Sequence, residues 1–344
     1  MRILEIGNDP YLKGIRPDEV DYFHIGKKMR GSDPVLTFRA FRELRAKLRR
    51  GEYRLVAASV WSHTGPVWRR DRGVTSNTFR IVRALGANFY TLGFETILWL
   101  LRGSDVPLVV IDRKDDPDKI MPHFFGLLAR CRTYFWRELP MKLEHGFTCI
   151  SGYLEDSSSV DKAPVFAENR HKIVPLSLGL PAWFHHVPAP TEPPKEVDVF
   201  FAGTLKRSQI RQDGYRLLEE MRAEGWRIEL AEGIVFSPEE FRAKCARAWL
   251  VWSPEGNGWD CYRHYEACAA GSVPLTNFPR IRRHQPLEHG VHAFFYAPEG
   301  NDLKRVIRDA LADKDKLRSM ARAGRDHVLR HHTPETLFAY VTGS

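Results

Sequence analysis

Strand signals and helix signals alternate along nearly the whole chain, and this alternation constrains the fold more than any other feature. Short apolar runs such as Arg2–Gly7, Arg54–Ser59 and Val106–Asp112 predict strands, and the amphipathic stretch Pro34–Arg50 predicts a helix between two of them. Parallel strands need such helical crossovers, because each connection must return the chain to the same end of the sheet. The sequence therefore predicts an α/β fold with parallel sheets.

A proline-rich stretch divides the alternation into two series. It contains Pro181, Pro188, Pro190, Pro193 and Pro194, which neither a helix interior nor a central strand accommodates. The 344 residues are also more than one typical core holds. We predict an N-terminal domain, a linker, a C-terminal domain and a final segment with the option of packing back on the first domain, at residues 1–180, 181–196, 197–332 and 333–344.

Composition narrows the class of protein. Hydrophobic residues make up 43% and charged residues 28%, as in ordinary globular proteins. No apolar run approaches the roughly 20 residues that span a bilayer, and the start MRILEIGNDP indicates a buried strand rather than a signal peptide. The five cysteines form no C-x-x-C pair, so we expect reduced thiols without a zinc site. These features predict a cytoplasmic protein, with peripheral membrane attachment as an open alternative.

The formal net charge is +9, which attracts anions. Nucleotide diphosphates, anionic membrane surfaces and nucleic acids all qualify as partners. A basic solvated surface without a specific partner explains the same charge equally well.

The segment SPEGNGWDCYRHYEACAAGSVP carries the most specific chemical signal. It predicts a buried strand, a loop in which Gly256 and Gly258 let a ligand approach the backbone, and then a helix. The free N–H groups and positive dipole end of that helix suit a diphosphate. Arg263 in the first turn opposes the dipole unless an anion is present, and its planar fork fits phosphate. Glu266 lies one turn later and is suited to ribose hydroxyls. The competing interpretation is an amphipathic helix with a surface Arg–Glu pair.

This segment resembles the donor-site signature of GT-B glycosyltransferases in the exostosin-like and CgeB-like groups. Their pattern R-x-x-E-A-x-A-x-G-x-[VI]-P is met by Arg263, Glu266, Ala267, Ala269, Gly271, Val273 and Pro274. The resemblance implies two doubly wound, Rossmann-like domains that face a cleft. It also implies a nucleotide-sugar donor of the UDP type, with Arg263 at the diphosphate and Glu266 at the ribose. Glu255 departs from exostosin-like patterns, which often carry a basic residue there.

A second element supports the donor site. The predicted strand Val197–Gly203 ends in glycine and leads into a loop with Thr204, Lys206 and Arg207. In similar GT-B enzymes, a cation in this loop neutralises the departing diphosphate. No Asp-x-Asp occurs in a donor-like loop, so we predict transfer without a metal or any other cofactor. The predicted donor-binding residues are Gly203, Thr204, Lys206, Arg207, Glu255, Gly256, Asn257, Gly258, Arg263 and Glu266.

The predicted catalytic side chains lie in the first domain, in loops that follow strands. Ligands bind at the carboxyl ends of strands in open α/β sheets. His63 titrates near neutral pH and is a candidate general base, and Asp112 and Asp115 are the carboxylate alternatives. For each of the three residues, a loop histidine or a helix-capping aspartate is the competing interpretation.

The resemblance predicts a hexosyl- or pentosyltransferase. Its acceptor is not specified, but the basic and aromatic residues of Pro34–Arg50 and Trp68–Arg72 favour an anion: a nucleic acid, a lipid phosphate or an acidic glycan. Two alternatives stay open. One is a glycosyltransferase that modifies nucleic acid, and the other is a non-catalytic protein that binds nucleotide sugars.

Overall fold

The computed structural model describes most of the chain as two compact units of α/β structure. The first unit lies within Met1–Lys114, Asp118–Leu176 and Val341–Ser344, and the second within Asp115–Pro117 and Ser177–Tyr340. The structure describes residues 1–25, 34, 36–60, 95–115, 125–141, 163–185, 193–206 and 208–344.

The first unit is built on a six-stranded sheet with the order β2-β1-β3-β4-β5-β6, in which every pair is parallel. The strands are β1 (Arg2–Gly7), β2 (Val20–His24), β3 (Tyr53–Val60), β4 (Leu108–Asp112), β5 (Thr133–Trp136) and β6 (Ile173–Pro175). The helices are α1 (Tyr11–Ile15), α2 (Phe38–Arg49), α3 (Glu95–Leu100), α4 (Phe125–Arg130) and α5 (Ala163–Asn169). The central strand β4 is buried along its whole length, as its continuous apolar sequence predicts.

The second unit is built on a five-stranded parallel sheet with the order β11-β10-β9-β7-β8. The strands are β7 (Val197–Gly203), β8 (Ile228–Glu232), β9 (Ala248–Trp252), β10 (Val273–Asn277) and β11 (Phe294–Tyr296). The helices are α6 (Ala182–His185), α7 (Gln209–Ala223), α8 (Pro238–Arg247), α9 (Tyr262–Ala269), α10 (Asp302–Ala312), α11 (Lys314–His331) and α12 (Pro334–Thr342). Val199, Leu250 and Leu275 of the three middle strands are fully buried in one apolar core.

Two local sequence signals in the second unit predicted helix boundaries correctly. Ser237 caps α8 in a full capping box with Glu240, as the Ser-Pro-Glu-Glu sequence predicts. The predicted break near Asp313 is confirmed, because α10 ends at Ala312 and the Asp313 side chain caps α11. The proline-rich stretch also holds a short helix, α6, directly after Pro181. A proline at a helix start costs nothing, because its missing N–H would have no partner there.

Four elements of the first unit were not predicted: β2, α1, α4 and α5. Strand β2 alternates buried and half-buried residues at the edge of the sheet, and its run VDYFH is too short and polar to stand out. Helix α1 has only five residues. Of the predicted helix Ser76–Leu101, the structure describes α3 alone, and the predicted strand Phe147–Ser151 lies outside the described residues.

Two parallel sheets with flanking helices confirm the predicted α/β class. None of the helices in the described ranges is both long and apolar enough to cross a membrane.

Candidate functional site

The candidate site lies at the carboxyl edge of the second sheet, where β7, β9 and β10 are neighbours. Because the three strands are parallel, the loops that follow them leave the sheet at the same edge. These loops contain nearly all the predicted donor residues. Helix α9 starts at this edge, so its N-terminal N–H groups point towards the loops.

Arg263 extends from the first turn of α9 to the end of β7. Its guanidinium carbon lies 5.3 Å from the centre of the Phe201 ring. A Cβ atom on Gly203 would lie 2.7 Å from Nη2 of Arg263, so the glycine makes room for the guanidinium. Nε and Nη1 are buried and have no hydrogen-bond partner among the described residues. A half-buried cation with unsatisfied donors at a positive helix end has a geometry that an anionic ligand would complete.

Glu266 follows one turn later on α9 and is 5% exposed. Its carboxylate accepts no hydrogen bond within the part of the chain that the structure describes. Burial raises its pKa to about 7, and the positive charge of Arg263 opposes this shift. The nearby Glu266 carboxylate also contributes, after burial, to the raised pKa of the Cys245 thiol on α8. Glu266 is therefore a buried carboxyl group without a hydrogen-bond partner among the described residues, and its pKa depends on the charge of Arg263.

Glu255 is held by residues that follow β10. Asn277 at the end of that strand accepts a hydrogen bond from the Glu255 N–H through Oδ1, and its Nδ2 donates to Glu255 Oε2, each at 3.0 Å. Nε of Arg280 lies 3.5 Å from the same carboxylate oxygen. Just beyond, the Gly256 N–H donates to the Gly258 carbonyl at 3.0 Å. The loop after β9 is thus fixed to the end of β10 through a residue that departs from the exostosin-like pattern.

Arg211 on α7 joins the loops after β7 and β9, and the sequence analysis missed it. It is 8% exposed and donates to the carbonyls of Thr204, Pro254 and Glu255 at 3.0, 3.2 and 3.1 Å. A Cβ atom on Gly256 would lie 2.8 Å from its Nη2, so this glycine lets the loop approach the guanidinium. The detectable signal was a third basic residue four positions after Arg207, inside the capped start of a helix.

Two further residues hold the loops in place. Ser208 caps α7 and donates from Oγ to the Glu255 carbonyl at 2.9 Å. His264 on α9 lies with Nε2 2.8 Å from the Ser253 carbonyl. Burial is the main reason that the pKa of His264 falls to about 3, so the ring is neutral and Nε2 carries the hydrogen. Helix α9 is therefore tied to the end of β9.

The remaining predicted donor residues differ in exposure. Thr204, Lys206 and Asn257 are exposed, and Gly258 is buried. The Lys206 N–H donates to Thr204 Oγ1 at 3.2 Å, which forms a tight turn after β7. Arg207 lies outside the described residues. The structure therefore brings Arg263 together with Gly203, and Glu255 and Gly256 together with Arg211.

The predicted catalytic side chains have different surroundings. Asp112 is fully buried at the end of β4, where it accepts a hydrogen bond from the Tyr134 hydroxyl at 2.7 Å. Nζ of Lys114 lies 3.2 Å from the same carboxylate. Asp115 is half-buried beyond the strand end, and His63 lies outside the described residues. Asp112 is therefore engaged in contacts with Tyr134 and Lys114.

Other charged residues at this edge are also paired. Nη1 of Arg113 lies 2.5 Å from Asp9, and its guanidinium covers the Tyr11 ring at 4.4 Å. Glu5 accepts hydrogen bonds from the Leu12 and Lys13 N–H groups at 3.0 and 2.8 Å and from the Ser59 hydroxyl. Burial nevertheless raises the pKa of Glu5 to about 7. Within the described ranges, no group of three or more histidine, cysteine or acidic side chains is arranged to hold a metal ion.

Residues 242–341 match the family described as Glycosyl transferase-like. This match covers α9, α10, α11 and most of the loops of the candidate site. A comparison with curated protein sequences finds no match.

Solved structures resemble the whole chain. An alpha-glucosyltransferase in complex with UDP and a 13-mer DNA containing a HMU base has a TM-score of 0.54 and 8% identity, with all of both chains covered. The likeness extends over both α/β units. Anabaena Alr3699/HepE in complex with UDP and glucose has a TM-score of 0.52 and 12% identity, covering 100% of this chain and 98% of that one. A glycosyltransferase from Rickettsia africae has a TM-score of 0.55 and 9% identity, covering 98% and 96%. At these identities the likeness defines the GT-B fold.

Proposed function

We propose that the chain is a glycosyltransferase that moves a sugar from a nucleoside-diphosphate donor, with UDP as the first candidate, to an acceptor. The observation that carries the proposal is Arg263, whose buried Nε and Nη1 have no partner among the described residues. Leaving such donors unsatisfied costs about 1–3 kcal/mol, and a diphosphate would satisfy them. The match over residues 242–341 and the UDP in the structures of similar fold support this assignment.

The chemistry follows from where charge develops. When the bond between the anomeric carbon and the donor oxygen breaks, the nucleoside diphosphate leaves with additional negative charge on its terminal phosphate. Arg263 and the N-terminal end of α9 are fixed before the reaction and need no reorganisation. Lys206 on the exposed turn after β7 is the second cation for this phosphate. We propose that these groups replace a divalent metal.

We propose Glu266 as the group that binds the ribose. A carboxyl group with a pKa of about 7 either donates or accepts a hydrogen bond near neutral pH. It is one helical turn from Arg263, so a nucleotide lying along α9 can contact both. The charges of Arg263 and Glu266 already interact, which is consistent with this spacing.

The proton of the acceptor hydroxyl needs a base if the acceptor displaces the nucleotide directly. His63, Asp112 and Asp115 remain the proposed candidates. Asp112 is engaged by Tyr134 and Lys114, so as a base it would first have to leave these contacts. The acceptor itself is proposed to be anionic. Nucleic acid is the second candidate function, supported by the +9 charge and by the DNA bound in one structure of similar fold.

Titration with UDP tests the proposal on the parent protein and on Arg263→Ala. We expect the variant to bind UDP about 10- to 150-fold more weakly, which corresponds to a charge-assisted hydrogen bond of about 1.5–3 kcal/mol. Sugar transfer, followed with UDP-sugar donors, should fall further, because the leaving group gains charge in the transition state.

Arg216→Ala is the matched control, since Arg216 is an exposed arginine on α7. It should bind UDP like the parent protein. Equal UDP binding by the parent, Arg263→Ala and the control would show that the donor site is not at Arg263.

A further inference from the structure

A second cavity lies in the same unit, at the opposite edge of the sheet. Its volume is about 780 Å³. Lys195, Ala246 and Gly271 line it, and these residues precede β7, β9 and β10 in the chain. The donor loops follow the same strands, so the cavity is at the amino edge and the candidate donor site at the carboxyl edge.

One wall of this cavity is positively charged. Arg318, Arg322 and Arg325 lie at positions i, i+4 and i+7 of α11 and therefore share one face of the helix. Arg318 pairs with Asp315 at 2.7 Å. Arg322 and Arg325 have no ion-pair or hydrogen-bond partner in the described residues. Asp326 is the one acidic residue among those lining the cavity.

The cavity's other surfaces are apolar. They are formed mainly by the small side chains of Ala246, Ala269, Ala270 and Ala321, with Leu317 beside them. Trp249 lies at the edge, where Arg318 and Lys314 cover its ring at 5.3 and 4.8 Å. A cation-bearing wall above a surface of methyl groups suits a ligand with an anionic head and a short apolar body.

The backbone carbonyls at this edge already have a hydrogen-bond donor. Nζ of Lys195 donates to the carbonyls of Ala246, Ala248 and Gly271 at 2.8, 2.8 and 2.7 Å. These three carbonyls at the amino edge are therefore already hydrogen-bonded. Burial lowers the pKa of Arg242, and the positive charge of Arg325 lowers it further. An anion beside Arg325 would relieve this repulsion between cations.

We propose that this cavity binds a phosphate monoester with a short apolar body, held by Arg322 and Arg325 against the alanine surface. Arginine guanidinium groups match phosphate oxygens in shape and charge. The inference is independent of the proposed function, because none of these residues belongs to the candidate donor site.

Octyl phosphate is the probe, with inorganic phosphate and glucose 1-phosphate as comparisons, and binding is measured by isothermal titration calorimetry. We expect octyl phosphate to bind more tightly than either comparison. The double variant Arg322→Ala/Arg325→Ala should lose at least about tenfold in affinity, since two charge-assisted contacts are removed. The double variant Arg216→Ala/Arg330→Ala removes two exposed arginines elsewhere in the unit and should bind like the parent protein.

A second variant, Ala321→Trp, fills the cavity and keeps both arginines. It should also lose octyl phosphate binding. UDP affinity should be unchanged in all these variants, which separates this proposal from that for the donor site. The proposal is overturned if octyl phosphate does not bind, if glucose 1-phosphate binds as tightly, or if the arginine and tryptophan variants bind like the parent protein.

Discussion

Buried charged residues lie at the carboxyl edge of both sheets, but their partners differ between the two edges. In the first unit, Asp112 is paired with Lys114 and Tyr134, and Arg113 with Asp9. In the second unit, Arg263 has buried donors without partners among the described residues, and Glu266 accepts no hydrogen bond from them. Asp112 and Arg113 thus have oppositely charged partners within the protein. For Arg263 and Glu266, the anionic ligand proposed above would supply contacts that the described residues do not.

Removing a buried cation should therefore have different effects on the two edges. Lys114→Met leaves the fully buried Asp112 carboxylate without its cation, and we expect it to destabilise the first unit by about 3–5 kcal/mol. Arg263→Met removes a half-buried cation without partners, so the free energy of unfolding of the ligand-free protein should stay the same or rise. Urea unfolding measures both, with separate transitions fitted for the two units.

The same measurement in the presence of UDP sharpens the comparison. Bound UDP should stabilise the parent protein and Lys114→Met alike, by RT ln(1 + [UDP]/Kd), and Arg263→Met much less. A Lys114→Met variant as stable as the parent, or an Arg263→Met variant that unfolds several kcal/mol more easily without ligand, would contradict the contrast.

The fold was largely predictable because its signals are local. Buried strands such as Leu108–Asp112 are continuous apolar runs, and Ser237 and Asp313 mark helix starts by their capping chemistry. Strand β2 was missed because half of its residues are polar or partly exposed. Its position beside β1 depends on contacts that no local pattern encodes.

The site was predictable where a residue acts through its own helix or strand. Arg263 and Gly203 were predicted from a helix start and a strand end, and the structure places them against each other. Arg211 and Asn277 were missed, because each acts on a loop more than twenty residues away in the chain. The burial of Glu266 was not predicted either, since its surroundings include α8.

The two buried glutamates provide a pH test of the contrast. Burial raises the pKa of both Glu5 and Glu266 to about 7. Each shift adds stability that is fully present below the unfolded pKa near 4.5 and is lost as the pH rises through 7. Ionised Glu266 also repels a diphosphate at Arg263, so UDP affinity should increase as the pH falls from 8 to 6. The Coulomb repulsion between the ionised carboxylate and the diphosphate, at an effective dielectric constant of about 20, corresponds to a change in UDP affinity of roughly tenfold.

Glu266→Gln should flatten this profile of UDP affinity, and Glu5→Gln is the matched control. Glu5 is equally buried with a similar pKa, but it belongs to the first unit, where Leu12, Lys13 and Ser59 satisfy it. Titration calorimetry gives the UDP affinity of each protein at pH 6 and at pH 8, and the ratio of these two affinities is compared between the proteins. Protonation of UDP itself changes this ratio equally for every protein, so it cancels in the comparison. If Glu5→Gln changed the ratio and Glu266→Gln did not, Glu266 would not be near the nucleotide.

A smaller effect is expected from the exposed charge of the first unit. Arg42 and Arg49 are exposed on α2, whereas Nε of Arg45 is buried and Arg50 pairs with Glu52. Reversal of Arg42 and Arg49 to glutamate should raise the KM for an anionic acceptor about two- to fivefold at low salt and less at high salt, because exposed charges are screened. The KM for the donor should not change. The same reversal at Arg216 and Arg330 of the second unit is the control, and equal effects from both pairs would place the acceptor elsewhere.

The smallest expected effect is that of a chelator. A diphosphate bound at Arg263 and the positive end of α9 would already face positive charge, and these groups would repel a divalent cation. If fixed protein groups stabilise the leaving group as proposed, EDTA should leave sugar transfer within about twofold of its starting rate. Activity is measured after dialysis against EDTA and again after addition of manganese. Activity that disappears with EDTA and returns with manganese would contradict the prediction of metal-independent transfer.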